Sequence, residues 1–260
     1  MSAEFAANLV EEAVLLINVF RTIRLIGSGK RSMACVFYLF ALISLAISNA
    51  YWLIYEILRP ETRMPMAANE FGETAFFLLL ASMLGNIFPR DGRLLLRERI
   101  GTTLFGAVSI GLWIVWSGEW FQDIFFGFFF CFFLMMVVRT ARQSGACSRK
   151  EWYAVEICAS VLIACEIAVQ LLKDPVRTGL DVFCYILMFG FLGYLLKKLF
   201  ASLRRKEDAK ISLVLGVAGI AWSSSCLYMS EGVWYLAALL ATSFLLVLLQ
   251  TAIEREVDAT

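Results

Sequence analysis

Long apolar runs dominate the chain, and short polar gaps separate them. The runs cover residues 33–58, 71–88, 100–117, 121–138, 152–172, 180–196, 211–228 and 233–253. Each holds about 20 residues, the length a helix needs to cross about 30 Å of hydrocarbon at a rise of about 1.5 Å per residue. The pattern predicts eight transmembrane helices. An earlier stretch, 5–27, reads differently: Leu9, Ala13, Leu16, Phe20 and Ile23 recur at helical spacing, while Glu11, Glu12, Arg21 and Arg24 interrupt the run. Its uninterrupted portion, 13–20, is too short for a span, so the stretch is expected to form an amphipathic helix lying on the inner leaflet. The alternative is a ninth span, with the N-terminus outside and two carboxylates held in the bundle. A secretory signal is not expected, because acidic residues and no basic ones precede the apolar run.

Charge in the gaps orients the bundle. Nineteen of the 23 Lys and Arg residues fall in alternate gaps, among them Arg21, Arg24, Lys30, Arg31, Arg90, Arg93, Arg139, Arg142, Lys197, Lys198 and Lys206. The other gaps hold only Arg59, Arg63, Lys173 and Arg177. By the positive-inside rule the basic gaps are cytoplasmic, which places both termini inside and the protein in the plasma membrane. All four prolines, Pro60, Pro65, Pro89 and Pro175, lie in gaps. The fold class is therefore all-α: residues 1–260 as one integral membrane domain, a bundle of four hairpins hung from the cytoplasmic side. A composition 60% hydrophobic with mean hydropathy +0.76 agrees. The lipid bilayer is its solvent, and nothing in the charge pattern calls for nucleic acid.

Residue chemistry removes more functions than it supports. The chain has no histidine, which excludes a bis-His haem protein, an H-E-x-x-H metalloprotease and a Ser-His intramembrane protease. Neither a Walker A loop nor a dinucleotide glycine fingerprint is present. Of the seven cysteines none forms C-x-x-C; Cys158 and Cys165 share a helix face and are expected to pack, and Cys147, in a basic loop, to be a reduced thiol. Glycines at 101, 106, 111, 190, 193, 216 and 219 suggest close helix packing. Gly179-Leu180-Asp181 partly resembles the G-x-G-D of prepilin peptidases and presenilins, but the second glycine is missing. An intramembrane aspartyl hydrolase using Asp181 and Asp123 is therefore a distant third reading. The expectation is of no catalysis and no cofactor.

Ionisable residues at membrane depth are costly in lipid and mark solute sites or relays. Glu73, Asp123, Glu166 and Asp181 all fall about 4–9 Å below the outer boundary by helix rise. Trp52 and Tyr55 occupy the same level, beside Asn69, Glu70, Trp116, Glu119 and Gln122. Carboxylates pair with a cation and aromatic faces attract it, so one reading is an outward-facing cavity for a small cationic solute, bound or transported. A competing account treats the acids as helix caps. Asn69 then caps the second span, Thr178 with Asp181 and Ser148 with Glu151 form capping boxes, and the aromatic residues form the interfacial belt. Glu166 lies mid-helix and cannot cap; an ion pair with Arg177 or Lys173 is its structural explanation. A second functional class is a sensory or partner-binding module whose basic inner loops dock a separate cytoplasmic protein.

Overall fold

The computed structural model describes residues 3–29, 32–59, 68–88, 94–117, 120–205 and 208–259. Lys30, Arg31, Pro60, Arg63, Pro65, Pro89, Arg90, Arg93, Glu119 and Lys206 lie outside them, as does the side chain of Trp116. The described residues form helices and no strands: α1 Ala3–Gly27, α2 Met33–Leu58, α3 Ala68–Ile87, α4 Leu96–Ser117, α5 Trp120–Gln143, α6 Arg149–Leu171, α7 Val176–Arg205, α8 Ala209–Tyr228 and α9 Gly232–Ala259. Among them 7, α2 and α4 to α9, are long and apolar enough to cross a membrane. The other two, α1 and α3, carry carboxylates at Glu11, Glu12, Glu70 and Glu73. The molecule is an all-helical, multi-pass membrane protein.

Sequential hairpins α2–α3, α4–α5, α6–α7 and α8–α9 pack as pairs. The nearly wholly buried α8 sits at the centre, touching α3, α5, α7 and α9. Two glycines let it approach α9: a Cβ at Gly216 would stand 3.1 Å from Leu249 Cδ1, and one at Gly219 would stand 2.7 Å from Leu245 Cδ2. Gly106 likewise faces Cys131 across the α4–α5 contact. Gly101, Gly111, Gly190 and Gly193 have nothing within 4 Å of an added Cβ, so the close-packing expectation does not extend to them. The phenylalanine-rich α5 divides its rings between two surroundings. Phe126, Phe130 and Phe133 are buried, with Phe77 of α3 against all three, whereas Phe121, Phe128 and Phe132 are exposed.

Several helices outrun their apolar cores. The fifth continues to Gln143, the seventh to Arg205 and the ninth to Ala259, because their charged ends find partners inside the fold. Arg142 pairs with Glu98, Arg255 donates to the Leu203 carbonyl, and Glu254 Oε1 and Oε2 accept from Arg21 at 3.0 and 2.8 Å. Ser148 and Glu151 form the expected capping box on α6. The other two caps are corrected. Helix α7 begins at Val176, ahead of Thr178, whose hydroxyl donates instead to Asp174 Oδ1 at 2.9 Å. Helix α3 begins at Ala68, so Asn69 stands in its first turn and its carbonyl accepts from Ser48 Oγ at 2.8 Å.

The first helix is amphipathic, with its polar side turned inward. Leu9, Leu16, Ile17, Phe20 and Ile23 are exposed, while Asn8, Glu11, Leu15, Asn18 and Thr22 are buried against α2 and α9. Lipid as solvent explains the inversion, since it rewards apolar exposure and makes the bundle interior the place for polar groups. Near its start Asn8 is bonded to Tyr235; further on Thr22 Oγ1 donates to Gln250 at 2.9 Å and Arg21 reaches Glu254. The helix therefore lies lengthwise along α9, pointing the same way.

Candidate functional site

Two adjoining cavities open where α1, α2, α3, α4, α5, α8 and α9 meet. The larger, about 290 Å³, is lined by Asn69, Glu70, Glu73, Trp113, Gln122, Asp123, Phe126 and Tyr228. The smaller, about 90 Å³, is the more enclosed and takes Asn8, Glu11, Ser48, Asn49, Trp52 and Tyr235 among its walls. Asn69, Glu73 and Tyr228 belong to both, so Glu73 stands at the junction.

The local fold explains this placement. A close approach of α3 to α2 brings Gly72 against Ser44 and Ser48, where an added Cβ would meet the Ser44 carbonyl at 2.8 Å. That contact sets the first turn of α3 against α2, and Glu73, three residues after Glu70 and four after Asn69, then lies on the same side of the helix as each of them. Tyr228, at the end of α8, donates its hydroxyl to Glu73 Oε2 at 2.7 Å. Its ring sits edge-on to Trp113 and Phe126, with centroids 5.6 and 5.1 Å away. Glu11 interacts electrostatically with Glu73 from the opposite wall.

The polar atoms facing the larger cavity are mainly acceptors. Gln122 Nε2 donates to Glu70 Oε1 at 2.6 Å. A carboxylate accepts only, so the amide nitrogen must face Glu70 and Oε1 must face away. Gln122 Oε1 and Asn69 Oδ1 are both buried without a hydrogen-bond partner. None of the described lining residues is Lys or Arg. Three carboxylates, two orphaned acceptors and three aromatic rings thus line the larger cavity, and no described lining residue is Lys or Arg, a set of acceptors complementary to a small positively charged solute with N–H groups. The volume agrees, falling at the lower edge of small-molecule sites.

The sequence-derived candidates divide between two places. Glu73 and Asp123 line the larger cavity together, and Trp52 lines the smaller one with Glu73. Tyr55 stacks on Tyr51, centroids 6.4 Å apart, and lines neither. Glu166 and Asp181 interact with each other across the α6–α7 contact and line neither cavity. Glu166 is 4% exposed and is hydrogen-bonded to Cys184; among the described ion pairs none joins it to Lys173 or Arg177. Glu11, Asn8, Trp113 and Tyr228 are cavity residues absent from the sequence-derived set. The signal for the first two is the alternating three- and four-residue spacing of Asn8, Glu11, Leu15, Asn18 and Thr22, a single helix face. No protein-family model, no curated protein and no solved structure matches this chain.

Proposed function

We propose that this protein binds a small organic cation in the paired cavities and passes it across the plasma membrane, acting by binding and not by catalysis. The observation that carries the reading is the lining of the larger cavity: the carboxyl groups of Glu70, Glu73 and Asp123 beside the unpartnered Asn69 Oδ1 and Gln122 Oε1, with no basic residue among the described lining residues. Leaving the Asn69 and Gln122 amide oxygens buried and unpaired costs about 1–3 kcal/mol each, and a bound cation with N–H donors relieves that cost. Trp113, Phe126 and Tyr228 give it aromatic walls. The basic gaps face the cytoplasm in this reading, so the cavities open towards the outside; α1, packed along α9 with its start on the cavity side, then follows the alternative with the N-terminus outside in place of both termini inside.

The test is uptake of labelled guanidinium, which stays charged at all working pH values, into proteoliposomes of the full chain. Uptake that saturates and is lost in Glu73→Gln supports the reading. Uptake no faster than in protein-free vesicles overturns transport, and moves attention to a protein partner on the basic loops.

A further inference from the structure

The polar seam of α1 continues past the cavity. Glu11 and Asn18 are seven residues apart, about 10 Å along the axis, and Thr22 follows about 6 Å further on. Asn18 is fully buried, and neither its Oδ1 nor its Nδ2 has a partner; Tyr38 of α2 is also fully buried with an unpartnered hydroxyl. Tyr38 lies within electrostatic range of Arg21 and Glu254. From there a bonded chain leads outward to the basic face: Thr22 Oγ1 to Gln250 Oε1 at 2.9 Å, Gln250 Nε2 to Glu254 Oε1 at 3.0 Å, and Glu254 to Arg21. On the buried face of α1, Leu15, itself fully buried, stands between the acidic end at Glu11 and the orphaned amide of Asn18.

Three orphaned polar atoms in a membrane interior are not explained by packing. Each costs free energy that water relieves, and a buried polar pocket between helices is where water enters. The ionisable groups along the route are Glu11 and Glu12 of α1, Glu73 of α3, Tyr228 of α8 and Tyr235 of α9 at the cavity end. Tyr38, Arg21 and Glu254 stand at the other end.

We infer that this seam is a water-filled proton route joining the Glu11–Glu73 cavity to the basic face, with Leu15 as its plug. The exchange function rests on the cation reading above. When the cation leaves, the carboxylate it paired with takes one proton delivered along the seam, and the next cation to bind displaces that proton into the cavity, so the charge of the site is conserved and one proton crosses for each cation.

The experiment measures proton entry into proteoliposomes carrying a trapped pH dye, under an imposed potassium diffusion potential. Leu15→Ser opens the plug and raises proton flux over wild type by about tenfold, equal to about 1.4 kcal/mol off the barrier. Adding Asn18→Leu to that variant removes the increase. Leu15→Ala serves as the second variant if the serine protein does not fold, and is expected to move in the same direction. Flux equal to wild type in both folded variants, or a leak that survives Asn18→Leu, overturns the route. The same preparations are melted with and without guanidinium. A guanidinium shift without a leak refutes the proton route alone, whereas a leak without a guanidinium shift refutes the cation site and with it the exchange.

Discussion

Replacing Gly72 by alanine tests whether the α2–α3 contact sets the cavity. The added Cβ would sit 2.8 Å from the Ser44 carbonyl oxygen and from Ser48 Cβ, and 3.3 Å from Ser48 Cα. Two of those three atoms are backbone, so relief requires the helices to part, unlike a clash with the tip of a flexible side chain. Overpacking of this kind costs about 1–3 kcal/mol. At about 2–4 °C per kcal/mol for a chain of this size, the melting temperature should fall by about 2–12 °C. The same displacement moves Asn69, bonded to Ser48, and Glu73 one turn on, so cation binding should weaken as well. Gly111→Ala is the matched control. Nothing lies within 4 Å of its added Cβ, and alanine in place of a mid-helix glycine gains about 0.5–1 kcal/mol. The assay is thermal unfolding in nanodiscs by intrinsic fluorescence. If Gly72→Ala melts with or above wild type, the close α2–α3 approach, and the placement of the site that depends on it, is refuted.

Two further outcomes separate this account from its alternatives. Glu166→Gln should leave the guanidinium-induced stabilisation unchanged, because Glu166 lies against Cys184 and outside both cavities; loss of that stabilisation would return the site to α6 and α7. Burial pushes the Cys147 thiol up from the ordinary cysteine range, against the opposing effect of nearby Lys198. At neutral pH the thiolate fraction is then smaller than in an unhindered peptide, so maleimide labelling should run slower and climb as the pH is raised through alkaline values, whereas a rate matching a free peptide thiol at pH 7 contradicts that environment.

Membrane architecture was legible in the sequence because lipid imposes it residue by residue: an apolar run long enough to span must become a helix. The ends of those helices were not, since Glu254, Arg255 and Arg142 stay helical through partners on other elements, which no local window contains. The same limit divided the candidate acids. Glu73, Asp123, Glu166 and Asp181 share a depth, and depth follows from counting residues; which side of the bundle each faces depends on helix order and rotation. Tyr228, the last residue of the 211–228 run, carries no local sign of its partner Glu73, 155 positions away. Glu11 broke an apolar run and so favoured a surface helix over the alternative of a span with two carboxylates in the bundle. Its actual setting becomes readable only when Asn8, Leu15, Asn18 and Thr22 are taken together as one face buried against α2 and α9.

The central claim, a cation site at Glu73, is tested most directly by melting the nanodisc-embedded protein with guanidinium, wild type beside Glu73→Gln. A ligand at about 100 times its dissociation constant stabilises the state that binds it by about 2.7 kcal/mol, which corresponds to a rise of about 5–11 °C. The account predicts that rise in wild type and its loss in the variant. A wild-type melting temperature indifferent to guanidinium and to other organic cations, or an equal rise in Glu73→Gln, would contradict it.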